Sequence, residues 1–204
     1  MQEPVNISKL KEILTKNGGY ITRRQVDENG IPSWYLTSLV RKENLERLAW
    51  GFYAAEDWMR DDFFVFQYTY PKFIFSYDSA LYLLGLTDKL PQGFEVTGPK
   101  NYRPFNPRDK NVVIHTDYKQ QTYELGIATI RTNLGHEVLA YDAEKTICSL
   151  ISRSERIESE TYVKALHSYA KLKGRNPNKL IEYAKIMGIE KKVYETMMVV
   201  LNEQ

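Results

Sequence analysis

The sequence predicts an α+β fold in two domains, and three observations carry that prediction. Residues 1–57 hold three short helical periodicities closed by glycine or proline signals, then one alternating stretch around a glycine. Residues 58–204 begin with an aromatic-rich segment and pass through four β-like runs, each bounded by Gly, Pro, Asn or Asp. From Asp142 onward the spacing is helical again, so a small sheet is followed by C-terminal helices.

The elements of residues 1–57 follow in order. Asn6 is placed to cap a helix whose Ile7, Leu10, Ile13 and Leu14 share one face, and Gly18-Gly19 stops it. Thr22 opens a second helix. Thr22 and Gln25 have capping-box spacing, and Ile21 and Val26 stand where a hydrophobic staple closes the helix start. Gly30 ends it, and Pro32 and Ser33 open a third helix with Ser33 as the expected cap. There Leu36, Leu39 and Val40 follow i, i+3, i+4 and face inward. The opposite arc then carries Trp34, Thr37, Ser38, Arg41 and Lys42, with Tyr35 at its flank. In LERLAWGFYA, alternation of Leu48 with Phe52 predicts a small hairpin with Gly51 in its turn. Three short helices and a hairpin describe a winged helix-turn-helix.

In that arrangement the later helix of the pair lies in the DNA major groove and leads with its N-terminal residues. Ser33, Thr37 and Ser38 then reach base edges or phosphates, and Arg41 and Lys42 neutralise phosphates. Arg23 and Arg24 sit at the start of the preceding helix, where dipole and free N–H groups favour an anion. Arg47 and Trp50 fall on the wing. The expected DNA-contacting set is Thr22, Arg23, Arg24, Gln25, Ser33, Trp34, Tyr35, Thr37, Ser38, Arg41, Lys42, Arg47 and Trp50. Between residues 8 and 53 eight Lys or Arg face five acids, a modest surplus. The competing reading is a protein-docking module with solvated serines and arginines.

These residues carry a resemblance. GGYITRRQVDENGIPSWYLTSLVRKENLERLAWGFYAAED looks like the N-terminal winged helix of the AbiEi family of abortive-infection antitoxins, and SALYLLGLTDKLP and YDAEKTICSLI resemble its later segments. The likeness runs through about residues 5 to 155. It implies a bacterial type IV antitoxin that binds inverted repeats in double-stranded promoter DNA and represses its own operon. It also implies a nucleotidyltransferase-like toxin as functional partner, without a stable complex. A free monomer pairing on a palindromic site fits such repeats. Two positions depart from the family pattern: Trp50 stands where a basic wing residue is usual, and Ser149 where an acid is usual.

In the middle of the chain, Asp78 to Leu86 has a helical pattern, and FEVTG, NVVIHTD, GIATIRT and HEVLAYD are the β-like runs. Pro99, Pro104 and Pro107 punctuate a loop holding Lys100, Arg103 and Arg108. The aromatic stripe before it reads as core, or as the seam against the first domain. Further on, Asp142 is placed to cap AEKTICSLIS with Ile147, Leu150 and Ile151 inward, and Ser159 or Glu160 opens a helix with Val163, Leu166 and Ala170 on one side. Asn176-Pro177 is a strong start for another, ending before Gly188, and KKVYETMMVVL closes the chain as a helix.

Charge and chemistry bound the function. Between residues 153 and 192 ten basic residues face five acids. The expected antitoxin surface there is Lys164, Lys171, Lys173, Arg175, Lys179 and Lys185, against the plain alternative of a solvated face. Cys148 falls on an apolar helix face and reads as a structural thiol. His115, His136 and His167 lack metal-ligand spacing, and no glycine-rich phosphate loop occurs. The enzymatic alternative is a nuclease-like, Mg-dependent core of Asp117, Asp142 and Glu144-Lys145 targeted by the winged helix. Asp142 and Glu144 have simpler work as cap and first-turn acid. The expectation is a non-enzyme without cofactor or metal. One cysteine, no signal-peptide pattern and no apolar run of about 18 residues predict a cytoplasmic chain with no membrane partner.

Overall fold

The computed structural model describes residues 5–102, 111–117 and 119–202, and they form a mixed α+β fold. The chain divides into two compact units, residues 1–69 and 70–204. The division follows Thr69, where the sequence pattern placed it after residue 57.

The first unit contains α1 (Val5–Lys16), β1 (Tyr20–Thr22), α2 (Arg23–Glu28), α3 (Ser33–Lys42), β2 (Glu46–Ala49), β3 (Phe52–Ala54) and α4 (Asp62–Thr69). Its three strands form an antiparallel sheet in the order β1-β3-β2. Ile7 and Leu10 of α1, Val26 of α2, and Leu36 and Leu39 of α3 meet in one apolar core with Ile21, Ile31 and Leu45. Burial of Ile21 and Val26 closes the start of α2 as a staple does. Two expected caps differ. Asn6 already lies within α1, and Ser33 is the first residue of α3, with Pro32 before it and no side-chain cap bond. Strand β1 has no counterpart in the sequence reading, because three residues squeezed between Gly18-Gly19 and a helix cap show no period.

A second cluster in this unit explains the boundary. Phe52 is fully buried, and around it lie Tyr20 (stacked, 5.2 Å), Tyr68 (5.3 Å), Trp58 (5.6 Å) and Phe64 (5.8 Å). Aromatic packing of this kind draws α4 onto the three-stranded sheet. The early part of the aromatic segment is therefore core of the first unit.

The second unit contains β4 (Ile74–Phe75), α5 (Tyr77–Leu83), β5 (Phe94–Pro99), β6 (Val112–Asp117), α6 (Gln120–Glu124), β7 (Ile127–Arg131), β8 (Glu137–Tyr141), α7 (Ala143–Ser152), α8 (Ser159–Lys171), α9 (Pro177–Met187) and α10 (Glu190–Asn202). A five-stranded mixed sheet runs β6-β5-β4-β8-β7. Pairs β5–β6 and β4–β8 are parallel, and β4–β5 and β7–β8 are antiparallel. The four β-like runs of the sequence are thus strands. Central β4 and the short α6 have no counterpart there, since a two-residue strand and a five-residue helix are too short to show a period. Of the expected proline loop, residues 103–110 with Arg103 and Arg108 lie outside the described residues.

Helix α7 is the hub of this unit. Residues Ala143–Ile151 are all buried, and Ile147, Leu150 and Ile151 pack with Leu166, Leu180 and Val193 of the three following helices. Asp142 Oδ1 accepts the Lys145 N–H at 2.8 Å, the expected cap. Asn176 caps α9 through the Lys179 N–H at 3.1 Å, Pro177 is its first residue, and Gly188 ends it left-handed at φ +71°. On α8, Leu166 and Ala170 are buried as expected, but Val163 is exposed; Ala165 and Tyr169 complete the inner face instead. Among the described residues no helix is long and apolar enough to cross a membrane.

Candidate nucleic-acid interface

Helix α3 buries Leu36 and Leu39 and half-buries Tyr35 and Val40. Its other side exposes Trp34, Thr37, Arg41 and Lys42, with Ser33 and Ser38 half-buried between. Among the described residues neither Arg41 nor Lys42 forms an ion pair, and both belong to the last turn, where cations suit the helix dipole. Trp34 is 61% exposed and stacks on Tyr35 with ring centroids 3.5 Å apart. The Thr37 hydroxyl donates to the Ser33 carbonyl at 3.5 Å, a weak bond that leaves its oxygen able to accept.

The start of α2 is more committed to structure. Thr22 Oγ1 accepts the Gln25 N–H at 3.2 Å, and Gln25 Oε1 accepts the Thr22 N–H at 2.9 Å and its hydroxyl at 3.1 Å. Thr22 is 4% exposed, so it is removed from the expected contact set: the capping box consumes its hydroxyl. Gln25 retains its amide NH₂ group, half-buried. Arg23 is exposed but tied to Asp27 at 2.8 Å, whereas the Arg24 guanidinium lies 5.8 Å from the Tyr68 ring centre.

The β2–β3 turn is fastened to this helix start. The Gly51 carbonyl accepts the Arg23 N–H at 2.7 Å and the Tyr68 hydroxyl at 3.1 Å. Gly51 has φ +72°, and a Cβ there would stand 2.9 Å from the Arg23 Cβ, so the position demands glycine twice over. At the tip, Trp50 is 82% exposed and the Arg47 guanidinium lies 4.6 Å from its ring centre. The cation at this turn is thus Arg47 laid on Trp50. Helix α3, the α2 start and the β2–β3 turn put Arg23, Arg24, Arg41, Lys42 and Arg47 on the exposed surface of one unit.

In the second unit the expected basic surface is partly neutralised. Lys164 pairs with Glu160 at 2.6 Å, Lys185 with Glu190 at 3.5 Å, and Lys179 with Asp142 at 2.8 Å and Glu144 at 4.0 Å. Hydrogen bonding to Asp142 holds the Lys179 ammonium above its ordinary pKa. Lys171, Lys173 and Arg175 remain exposed, without an ion pair among the described residues.

The carboxylates of the nuclease-like alternative are largely occupied. Asp142 serves α7 as cap, binds Lys179 and accepts the Tyr183 hydroxyl at 3.3 Å. Glu144 accepts the Asn176 N–H at 2.9 Å and the Tyr169 hydroxyl at 3.3 Å, joining α7 to the α8–α9 connection. No group of three or more His, Cys, Asp or Glu side chains is placed to hold a metal among the described residues. Cys148 is fully buried, burial pushes its thiol up to about 12, and its Sγ donates to the Leu180 carbonyl at 3.6 Å. Asp117 and Lys145 instead border a cavity with His115 and Arg153 that the sequence reading did not assemble.

No protein-family model matches the chain, and no curated protein matches it. Among solved structures it is similar to the crystal structure of the RV2827C protein from Mycobacterium tuberculosis. That match has 16% sequence identity and a TM-score of 0.58, and covers 98% of this chain and 78% of that one. At that identity the likeness speaks for the fold alone.

Proposed function

We propose that the chain is the antitoxin of a bacterial type IV toxin–antitoxin system, and that its first unit is a winged helix-turn-helix repressing its own operon. The observation that carries the DNA-binding half is α3. It sits on a core formed by α1 and α2, and its outer face offers hydroxyls first and unpaired cations last. In this reading α3 enters the major groove, α2 crosses the backbone behind it, and the β2–β3 hairpin is the wing. Thr37, Ser38 and Trp34 face base edges, while Arg41, Lys42 and Arg24 meet phosphates. The antitoxin half rests on the resemblance of three segments to the AbiEi family and is assigned to the second unit, with Lys171, Lys173 and Arg175 its exposed cations. A non-enzymatic reading is favoured by the structural employment of Asp142 and Glu144.

The test is fluorescence anisotropy of the full chain with its own upstream DNA, in EDTA, across a salt series. Tight, sequence-preferring binding with a steep salt slope is expected. Binding indifferent to sequence would assign the α3 face to another partner. Rescue of cells from a co-expressed nucleotidyltransferase-like toxin checks the second half, and failure to rescue overturns it.

A further inference from the structure

The polar group around α7 is built in a way that the DNA-binding reading does not use. Lys145, Ser149 and Arg153 are spaced i, i+4 and i+8, one stripe of α7 and its C-cap. This stripe borders a cavity of about 300 Å³ whose further walls include Tyr77, His115 and Asp117.

Lys145 is the least expected member. It is 3% exposed, and among the described residues its ammonium donates only to the Met187 thioether, at 3.6 Å, with the Tyr141 ring centre 5.3 Å away. A thioether is a weak acceptor for a group with three donors, so the charge is buried with its hydrogen-bonding capacity largely unspent. Burial accordingly lowers its pKa. The position is enforced from behind. Gly126 has φ +75°, and a Cβ on it would stand 2.6 Å from the Lys145 Cβ.

Arg153 is pre-set. Its Nη1 donates to His115 Nδ1 at 2.7 Å, so that nitrogen is the unprotonated one and Nε2–H donates to Glu95 Oε1 at 3.1 Å. Glu95 is held in turn by the Asp78 N–H at 2.9 Å. The guanidinium lies 5.0 Å from the Tyr77 ring centre, and Tyr77 itself has φ +46°, a strained value for an aromatic residue. Among the described residues neither Lys145 nor Arg153 forms an ion pair with a carboxylate. Two fixed cations and the Ser149 hydroxyl on one wall are a donor set that grips a phosphoryl group, while the neighbouring Ser152 hydroxyl donates to the Ser149 carbonyl at 2.8 Å. Asp117 on another wall, with Oδ1 accepting the Thr122 hydroxyl at 2.6 Å, is an acceptor suited to ligand hydroxyls.

We propose that this cavity binds a small phosphomonoester, its phosphate held by Lys145, Arg153 and Ser149 and its hydroxyls by Asp117. The volume lies at the lower end for ligand sites and suits a sugar phosphate or mononucleotide.

The test is calorimetric titration of the full chain with ribose 5-phosphate, AMP, inorganic phosphate and adenosine. Ribose 5-phosphate or AMP should bind, and whichever binds more tightly names the source of the phosphate. Adenosine should be weaker than AMP by at least about tenfold, and inorganic phosphate should compete with the ester. Lys145→Met keeps the side-chain volume and should weaken the ester at least about tenfold, as should Arg153→Gln if the first variant does not fold. The Arg41→Ala/Lys42→Ala double variant should bind the ester unchanged, which separates this site from the DNA-binding face. No heat from either ester at millimolar concentration, or affinity unaltered in Lys145→Met and Arg153→Gln, overturns the proposal. Tighter binding of malate than of phosphate also overturns it.

Discussion

Helices α3 and α7 have ten residues each, and their surroundings are opposite. Helix α3 rests one face on a core and turns Arg41 and Lys42 to water. Helix α7 is buried along nearly its whole length and keeps its lysine inside. A cation in water keeps its hydration and acts through a screened field, whereas a buried cation has surrendered hydration and retains value only toward something that enters. The two charges are therefore suited to different ligands: a long polyanion for the first, a small anion of fixed shape for the second.

The largest expected effect tests the burial side of that contrast. Leu150→Ala removes a fully buried side chain among α7, α8, α9 and α10, and should destabilise the second unit by about 2–5 kcal/mol in urea unfolding. Thr37→Ala on the open face of α3 should stay within about 0.5 kcal/mol of the parent. Equal losses would mean that α3 is covered and that its outer face is no docking surface.

Next in size is the turn that fastens the hairpin to α2. Gly51→Ala forces an L residue to φ +72° and pushes its Cβ against Arg23, with an expected cost of about 1–3 kcal/mol to the first unit. Loss of DNA affinity should accompany it, because Arg23 begins α2. Unchanged urea unfolding would show that the turn relaxes freely and does not brace the helix.

Smaller again are the exposed cations, read through salt. Arg41→Ala and Lys42→Ala should each flatten the logarithmic salt slope of DNA binding by roughly one unit, with thermal stability unmoved. Arg23→Ala should do less, since Asp27 already neutralises that guanidinium at 2.8 Å. A larger effect from Arg23 than from Arg41 would mean that the N-terminus of α2, rather than the α3 face, carries the phosphate contact.

Legibility in the sequence follows the same contrast. Where an element has a water side and a core side its period shows, so α3, the hairpin turn at Gly51 and the strands from Phe94 to Tyr141 can be read directly. Elements without two sides or without length vanish: β1 and β4 are three and two residues, and α4 spreads Phe63, Phe64, Val65, Phe66 and Tyr68 around its circumference, so no polar face shows a period. Asp142 and Asn176 were readable as caps because capping chemistry is local. Lys179, five residues past Gly174, reads in the sequence as part of a charge run, and its pairing with Asp142 depends on a contact 37 positions away in the chain. The Lys145–Ser149–Arg153 stripe is present at helical spacing, yet its partners, His115 on β6 and Tyr77 at the start of α5, are brought to it only by tertiary packing.

The smallest expected effect concerns Lys145 without ligand, and its sign is fixed. Burial lowers its folded-state pKa, against weaker opposing fields from Asp117, Cys148 and Asp142, while the unfolded chain keeps the ordinary value near 10.5. Below the folded pKa both states carry the proton and the cost of burying the charge is full. As pH climbs from the folded value toward the unfolded one, the unfolded state binds more protons, so stability contributed at this site rises. Lys145→Met removes the charge at every pH. The variant should therefore be more stable than the parent at neutral pH, by an amount that shrinks in the alkaline window beneath 10.5. Urea midpoints of the two chains across that range check it. A difference that stays flat, or a parent more stable at neutral pH, would show that the lysine already has a good anionic partner within the fold, and the contrast between the two helices would lose its physical basis.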